Sequence, residues 1–247
     1  EGCSPEFAAT ATLGSICMQA VRRSEIQIGE NVGIIGIGLL GLITHEIMKN
    51  TGANIYGFDP DQKRVDKLKE NFAGVLTSDI SELSNIINSQ TDGRGLDTVI
   101  VAAANKNKPI LNEIFKLCRR KAKVVVLGDI LFNFDRQDFY LKELDLLIST
   151  SYGPGRYDKS YEQNGLDYPY EYVRWTLNRN LQSYLKLAAD KKINYTNIIE
   201  KKIKFEEIQS FYNEHQFLNN KGVLVEYNHK RKTDNFRVNK NFKNKIN

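Results

Sequence analysis

Asn31 to Asp59 reads NVGIIGIGLLGLITHEIMKNTGANIYGFD, and this stretch decides the fold. Val32 to Ile35 has the length and β-branched content of a buried strand. Gly36, Gly38 and Gly41 follow in the spacing GxGxxG. A helix is predicted over Leu39 to Lys49, with Leu40, Ile43 and Ile47 on one face, and Thr51-Gly52 closes it. A second apolar run, Asn54 to Phe58, ends on Asp59.

Each part has a physical job. Gly36 permits the tight turn out of the strand, Gly38 lets a pyrophosphate approach the backbone, and Gly41 lets helix and strand pack closely. The free amides at the start of the helix face the phosphates. Asp59 falls at the tip of the second strand, where a carboxylate accepts hydrogen bonds from a ribose and repels a 2′-phosphate. That favours NAD, while Lys63 and Arg64 keep NADP possible.

Outward from this unit, helices and strands alternate. Helices are predicted over Gln62 to Asn71, from Asp79-Ile80-Ser81-Glu82 (with Ser78 or Asp79 as N-cap) to about Gln90, and over Lys108 to Cys118. Strands are predicted over Gly74 to Thr77, Asp97 to Ala102, Ala122 to Leu127 and Leu146 to Thr150. A helical region covering Cys3 to Arg23 comes before them. The pattern gives an α/β, doubly wound parallel sheet, the Rossmann fold, with a helical and strand C-terminal extension. The extension is a long helix from Tyr170 to Lys191, strands at Ile198 to Ile203 and Gly222 to Tyr227, and a helix at Phe205 to Gln216. A ligand belongs outside the carboxyl ends of the strands. That edge collects Gly36 to Leu40, Asp59, Ala102 to Lys106 (Ala103 among them), Gly128 and Asp129. Asp97 lies at the opposite end and reads as structural.

The 247 residues suffice for a sizeable core, and 41% hydrophobic with 26% charged residues is ordinary for a soluble protein. No run approaches the length that spans a bilayer, and Glu1 to Leu13 has no signal-peptide pattern. Cys3, Cys17 and Cys118 form no metal-type pair and fit a reduced, cytoplasmic setting. The formal charge of +5 is concentrated at the end of the chain. There Lys230, Arg231, Lys232, Arg237, Lys240, Lys243 and Lys245 oppose only Asp234. This segment, 229–247, reads as a solvated basic linker or tail after a dinucleotide-binding domain over 1–228, and no nucleic-acid partner is expected. Glu1 is not an initiator methionine, so the expectation is a processed chain or a piece of a longer one.

The stretches TLGSICMQAV, GENVGIIGIGLLG, GRGLDTVIVAA, KVVVLGD and FEEIQSFY resemble the cofactor-binding half of the medium-chain dehydrogenase/reductase superfamily. STSYGPGRYDKSYEQNGLDYPYEYVRWT looks like the bi-domain oxidoreductases of bacterial polysaccharide biosynthesis, whose second domain is of the Gfo/Idh/MocA type. The resemblance implies an NAD(P)-dependent oxidoreductase acting on a small molecule, such as a nucleotide sugar or polysaccharide precursor. It further implies a homodimer paired through the sixth strand. On this resemblance the GroES-like catalytic domain and the Gfo/Idh/MocA-type domain are expected to lie outside this chain, and Gly222 to Tyr227 is expected to lack its usual sheet.

Zinc-containing members place a cysteine ligand in the helix before the first strand, and that place falls at or near Ala11. No metal is therefore expected, and His45 reads as a surface histidine. Without zinc, the candidates for polarising a substrate oxygen are Tyr152, Tyr157, Arg156 and Asp129, with Thr12 and Ser15 near the nicotinamide end. The cofactor residues are Gly36, Gly38, Leu39, Leu40, Gly41, Asp59, Ala103, Gly128 and Asp129; Lys106 either touches cofactor or caps the next helix. Two alternatives stand beside a zinc-independent dehydrogenase: a quinone- or enone-reductase-like enzyme, and a non-catalytic NAD(H)-binding module.

Overall fold

Val32 and Ile34 enter one buried cluster and Ile35 enters another, so the first strand is covered on both faces. That two-sided burial explains its continuous apolar sequence. A computed structural model describes residues 2–213 and 222–227. The strands are β1 (Asn31–Ile35), β2 (Asn54–Phe58), β3 (Val75–Thr77), β4 (Leu96–Val101), β5 (Cys118–Val126) and β6 (Asp145–Ile148). They form one parallel sheet in the order β3-β2-β1-β4-β5-β6. The order reverses between β1 and β4, which opens a crevice at their carboxyl ends. β7 (Ile199–Lys204) and β8 (Gly222–Glu226) make a separate parallel pair.

Helices cover both faces. Ala20, Leu42, Met48, Val65 and Leu68 pack with Val32, Ile34, Ile100 and Val125 on one side. Leu83, Ile87, Ile114 and Phe115 pack with Ile35, Val99, Val101 and Val124 on the other. A third layer lies outside the first: helix Leu177–Ala189 docks on helix Ala11–Ser24. Gly14 makes this docking close, since a Cβ there would fall 2.4 Å from the Tyr184 ring. The buried Tyr184 hydroxyl is partnered by Thr10 Oγ1 at 2.9 Å.

Several expectations need correction. The helical region at the start is two helices, Pro5–Ala9 and Ala11–Ser24, divided at Thr10. The long helix expected from Tyr170 forms only over Leu177–Ala189. Residues before it turn instead, because Pro169 O accepts the Tyr172 and Val173 amides and the Arg179 guanidinium takes Val173 O at 2.6 Å. The helix expected from Lys108 starts at Leu111, since Asn105 Oδ1 holds the Asn107 and Lys108 amides in a turn. β5 begins four residues earlier than expected, at Cys118, where it meets Leu96 ahead of an irregularity in the pairing. Phe205 starts a 3-10 turn that continues as helix Ile208–Asn213, and the rest of that expected helix lies outside the described residues. The strands expected at Ile198 to Ile203 and Gly222 to Tyr227 form as β7 and β8, paired with each other apart from the main sheet. The basic segment 229–247, with His229, also lies outside the described residues.

His45 is not a surface residue: it is 2% exposed, stacks on Phe72 at 4.0 Å, and its Nε2 accepts the Ala73 amide at 2.9 Å. Its neighbour Glu46 is fully buried and accepts from Lys49 Nζ, the Asn194 amide and Asn197 Nδ2. Burial opposes its charge, but the contacts from His45, Asn197, Lys49 and the Asn194 amide prevail and lower the carboxyl to about 2. This cluster pins the 194–198 segment to the helix that follows β1.

Glu46→Gln should cost ~3 kcal/mol of stability in urea unfolding at pH 7, the scale for breaking a buried ion pair. The folded carboxyl titrates below its ordinary 4.5, so the Glu46 contribution is complete above that value and lost as pH falls toward about 2. The wild-type advantage should therefore shrink between pH 5 and about pH 2.

Candidate dinucleotide site

The three glycines do three different things. Gly36 has φ +90°, and a Cβ there would lie 2.7 Å from the Ala103 backbone, so it serves both the turn and the contact with the exit of β4. At Gly41 a Cβ would sit 2.0 Å from Gly36 O, which places the helix hard against the strand. Gly38 differs. Its backbone is extended (φ −74°, ψ −166°), open to any residue, and nothing lies within 4 Å of where its Cβ would be. Neither backbone strain nor packing accounts for a glycine there. The space it leaves belongs to a cavity of about 520 Å³.

Gly36, Gly38, Leu39 and Leu40 line that cavity from the turn, Phe58, Asp59 and Arg64 from the end of β2, and Ala102 to Asn105 from the end of β4. Ile80, Ile110 and Ile114 supply an apolar wall, with Lys108 and Glu113 at its side. Gly38 is the N-cap of helix Leu39–Met48 and has no side chain to cover the first amides. The size and lining fit an extended dinucleotide.

Asp59 is 2% exposed and already heavily engaged. Its Oδ2 accepts the Ile37 amide at 2.8 Å, its Oδ1 accepts the Asp61 amide at 3.0 Å, and Arg64 Nη1 donates to both oxygens at 2.8 and 2.7 Å. The acid expected at the strand tip therefore also ties the glycine turn to β2. Arg64 reaches the same cavity and neutralises the carboxylate. A lone acid would reject a 2′-phosphate, but this pair does so less strongly.

Gly41 lies beneath the turn and outside the cavity lining, as do Gly128 and Asp129 at the exit of β5. Gly128 packs against Ala103, where a Cβ would meet the carbonyl at 2.0 Å. Asp129 pairs with Lys106 at 2.6 Å, and Asn105 bridges to Ile130, so the exits of β4 and β5 are joined. Tyr152, Arg156 and Tyr157 are not brought to the cavity. Tyr152 O accepts Asn180 Nδ2 at 3.0 Å, and Gly153 abuts Gln19. Arg156 pairs with Glu162 at 2.5 Å and lies over the Tyr157 ring, which is 68% exposed. Ser15 Oγ donates to Thr12 O within its own helix.

Zinc does not fit the described residues. Ala11 has no donor atom. Cys17 is buried with its thiol directed at Leu40 O, and burial pushes it up to about 12, far from the thiolate a metal needs. Among the described residues no group of three His, Cys, Asp or Glu side chains is placed to hold a metal ion.

Sequence reasoning missed Phe58, Ile80, Lys108, Ile110 and Glu113. Phe58 ends β2 and Ile80 opens the helix after β3, while Lys108, Ile110 and Glu113 follow the Asn105 turn after β4, so the sequence gives no sign that they line one cavity.

A parallel sheet with a glycine turn at its switch point and an open cavity there defines a Rossmann-type dinucleotide domain. Residues 40–165, about half the chain, match the zinc-binding dehydrogenase family, and the chain belongs to it. Among curated proteins it is 23% identical over 150 residues to 2-dehydro-3-deoxy-L-galactonate 5-dehydrogenase of Pseudoalteromonas atlantica, covering 60% of this chain and 43% of that protein. It is 26% identical over 149 residues to sorbitol dehydrogenase of Halalkalibacterium halodurans, covering 56% and 42%. The chain thus spans under half the length of these relatives. Alcohol dehydrogenase TADH from Thermus sp. ATN1 superposes with a TM-score of 0.70 at 18% identity, over 92% of this chain and 60% of that one, a likeness of fold. No helix among the described residues is long and apolar enough to cross a membrane.

The glycines make a sharp contrast. Gly38→Ala should leave the melting temperature within a degree or two of wild type. Gly41→Ala should lower stability by ~2 kcal/mol or more, because its Cβ meets a carbonyl that cannot move away. Thermal unfolding followed by circular dichroism checks both.

Proposed function

We propose that the chain is the cofactor-binding part of an NAD(P)-dependent dehydrogenase, with residues 1–228 as the dinucleotide domain. The observation that carries this reading is the open space over Gly38 in a cavity at the sheet's switch point. A pyrophosphate takes that space beside the Leu39 and Leu40 amides. Phe58, Ile80 and Ile110 receive the adenine against apolar carbon, and Asp59 with Arg64 faces the ribose. The bound cofactor supplies or accepts the hydride. Ala103, Gly128 and Asp129 shape the exits of β4 and β5, where its reactive end belongs.

The substrate in this reading is a polyhydroxylated alcohol or its carbonyl, which the sugar-acid and polyol dehydrogenases among the relatives support. A nucleotide-linked or polysaccharide sugar is the narrower form, and its support is the resemblance carried by residues 149–176. Transfer proceeds without a zinc site built from the described residues. Tyr152, Arg156 and Tyr157 stand outside the cavity and contact their own loop and the helix after it, so the proton donor in this reading comes from elsewhere. Cofactor binding with little turnover is expected of this chain by itself.

Calorimetry with NADH and NADPH tests the cofactor. Gly38→Val should abolish binding of both while the protein stays folded. Arg64→Ala should keep NADH binding and weaken NADPH at least tenfold, since the Asp59 carboxylate is then unmasked. Equal affinities in wild type and both variants would remove the assignment.

A homodimer through β6 is part of the proposal. β6 is the last strand of the sheet, Ile148 on it is 51% exposed, and Tyr140 and Leu141 just before it are exposed too. Sedimentation velocity should show a dimer for wild type and a monomer for Ile148→Lys; a wild-type monomer at 100 μM would refute it.

A further inference from the structure

The segment between β6 and helix Leu177–Ala189 builds a stack of alternating cations and rings on the far side of helix Ala11–Ser24. Arg22 Cζ lies 3.1 Å from the Trp175 ring centroid and Arg174 Cζ lies 3.7 Å from it. Two guanidinium groups that close to one centroid cannot share a face, so they bracket the indole. Arg174 is also 4.6 Å from the Tyr170 ring, and Arg179 follows at 5.2 Å from that ring. The order is Arg22, Trp175, Arg174, Tyr170, Arg179. None of the five lines the dinucleotide cavity.

The charges in this stack do not balance. Arg179 is paired with Asp167 at 2.5 Å. Arg22 gives its Nε and Nη2 to neutral acceptors, Asn180 Oδ1 at 2.8 Å and Ser183 Oγ at 2.9 Å. Arg174 is exposed and makes no hydrogen bond or ion pair among the described residues. Burial, and then the charge of Arg174, lower Arg22 to about 10, which leaves it protonated at neutral pH. Stacking engages only the face of a guanidinium, so Arg174 keeps its edges to donate. Two positive charges without an acidic partner among the described residues are therefore held on either side of one indole, and Arg174 is exposed. The gap between them is no more than the sum of their two ring distances, a span that suits two linked anionic groups better than one.

We propose that the rim formed by Arg22, Trp175 and Arg174 binds a small polyvalent phosphate, such as a diphosphate, at a site separate from the dinucleotide cavity. Each guanidinium pairs with one phosphoryl group through charge-assisted hydrogen bonds. The neighbouring Tyr170 and Tyr172 rings, both exposed, offer surface for the rest of such a molecule.

Trp175 is the only tryptophan in the chain, so intrinsic fluorescence reads this site directly. Sodium pyrophosphate should give a saturable change that sodium chloride at equal ionic strength does not. Arg174→Ala, an exposed change that leaves the fold alone, should weaken the response at least tenfold. Gly38→Val should keep it, which separates this site from the dinucleotide cavity. The proposal fails if chloride reproduces the change, if Arg174→Ala titrates as wild type, if Gly38→Val abolishes the response, or if a hexaglutamate peptide binds more tightly than pyrophosphate.

Discussion

The contact between Gly41 and the Gly36 carbonyl is the constraint on which the rest depends. No side chain fits between them, since a Cβ would come within 2.0 Å of that oxygen. The helix after β1 must therefore start directly at the strand end, which aims its first amides across the crevice. Asp59 fixes the same turn from the other side by accepting the Ile37 amide. One carboxylate thus joins β1 to β2 at the point where the strand order makes room for a ligand. Gly36 and Gly128 extend the same close packing to Ala103, so the exits of β1, β4 and β5 form one edge.

The outer layer is held by polar groups that hydrophobic patterning does not reveal. Glu46 joins the helix after β1 to the Asn194–Asn197 turn, and Tyr184 joins helix Leu177–Ala189 to Thr10. Both polar ends are buried and satisfied, which is the condition under which such groups hold a structure together. The loop after β6 follows the same rule. Tyr161 donates to Thr176 and accepts the Asn178 amide, so a distant tyrosine caps the helix that follows. The density of tyrosine and arginine in that loop first suggests catalysis, yet most of these side chains bind one another or the adjoining helices.

Family membership and the chemistry of the chain point in different directions on metal. The family is described as zinc-binding, while the place of the expected ligand holds Ala11 and the nearest thiol is buried and protonated. What the chain retains is the part of the machinery that depends on backbone shape: a glycine turn, open amides and an acid at the second strand.

The sequence by itself determined the alternating strands and helices, the glycine turn and the acid at Asp59. These are local matters, set by side-chain size, periodicity and spacing over a few residues. The tertiary structure decided the rest. His45 looked exposed because its own helix gave no sign of Phe72, which arrives from after the next helix. Helix formation before Leu177 was lost because Arg179 and Tyr161 claim backbone and cap atoms from a distance. Arg64 lies five residues past Asp59, but only the fold turns it back onto that carboxylate. The Arg22–Trp175–Arg174 stack joins residues more than 150 positions apart, a pairing that exists only once the third layer has docked.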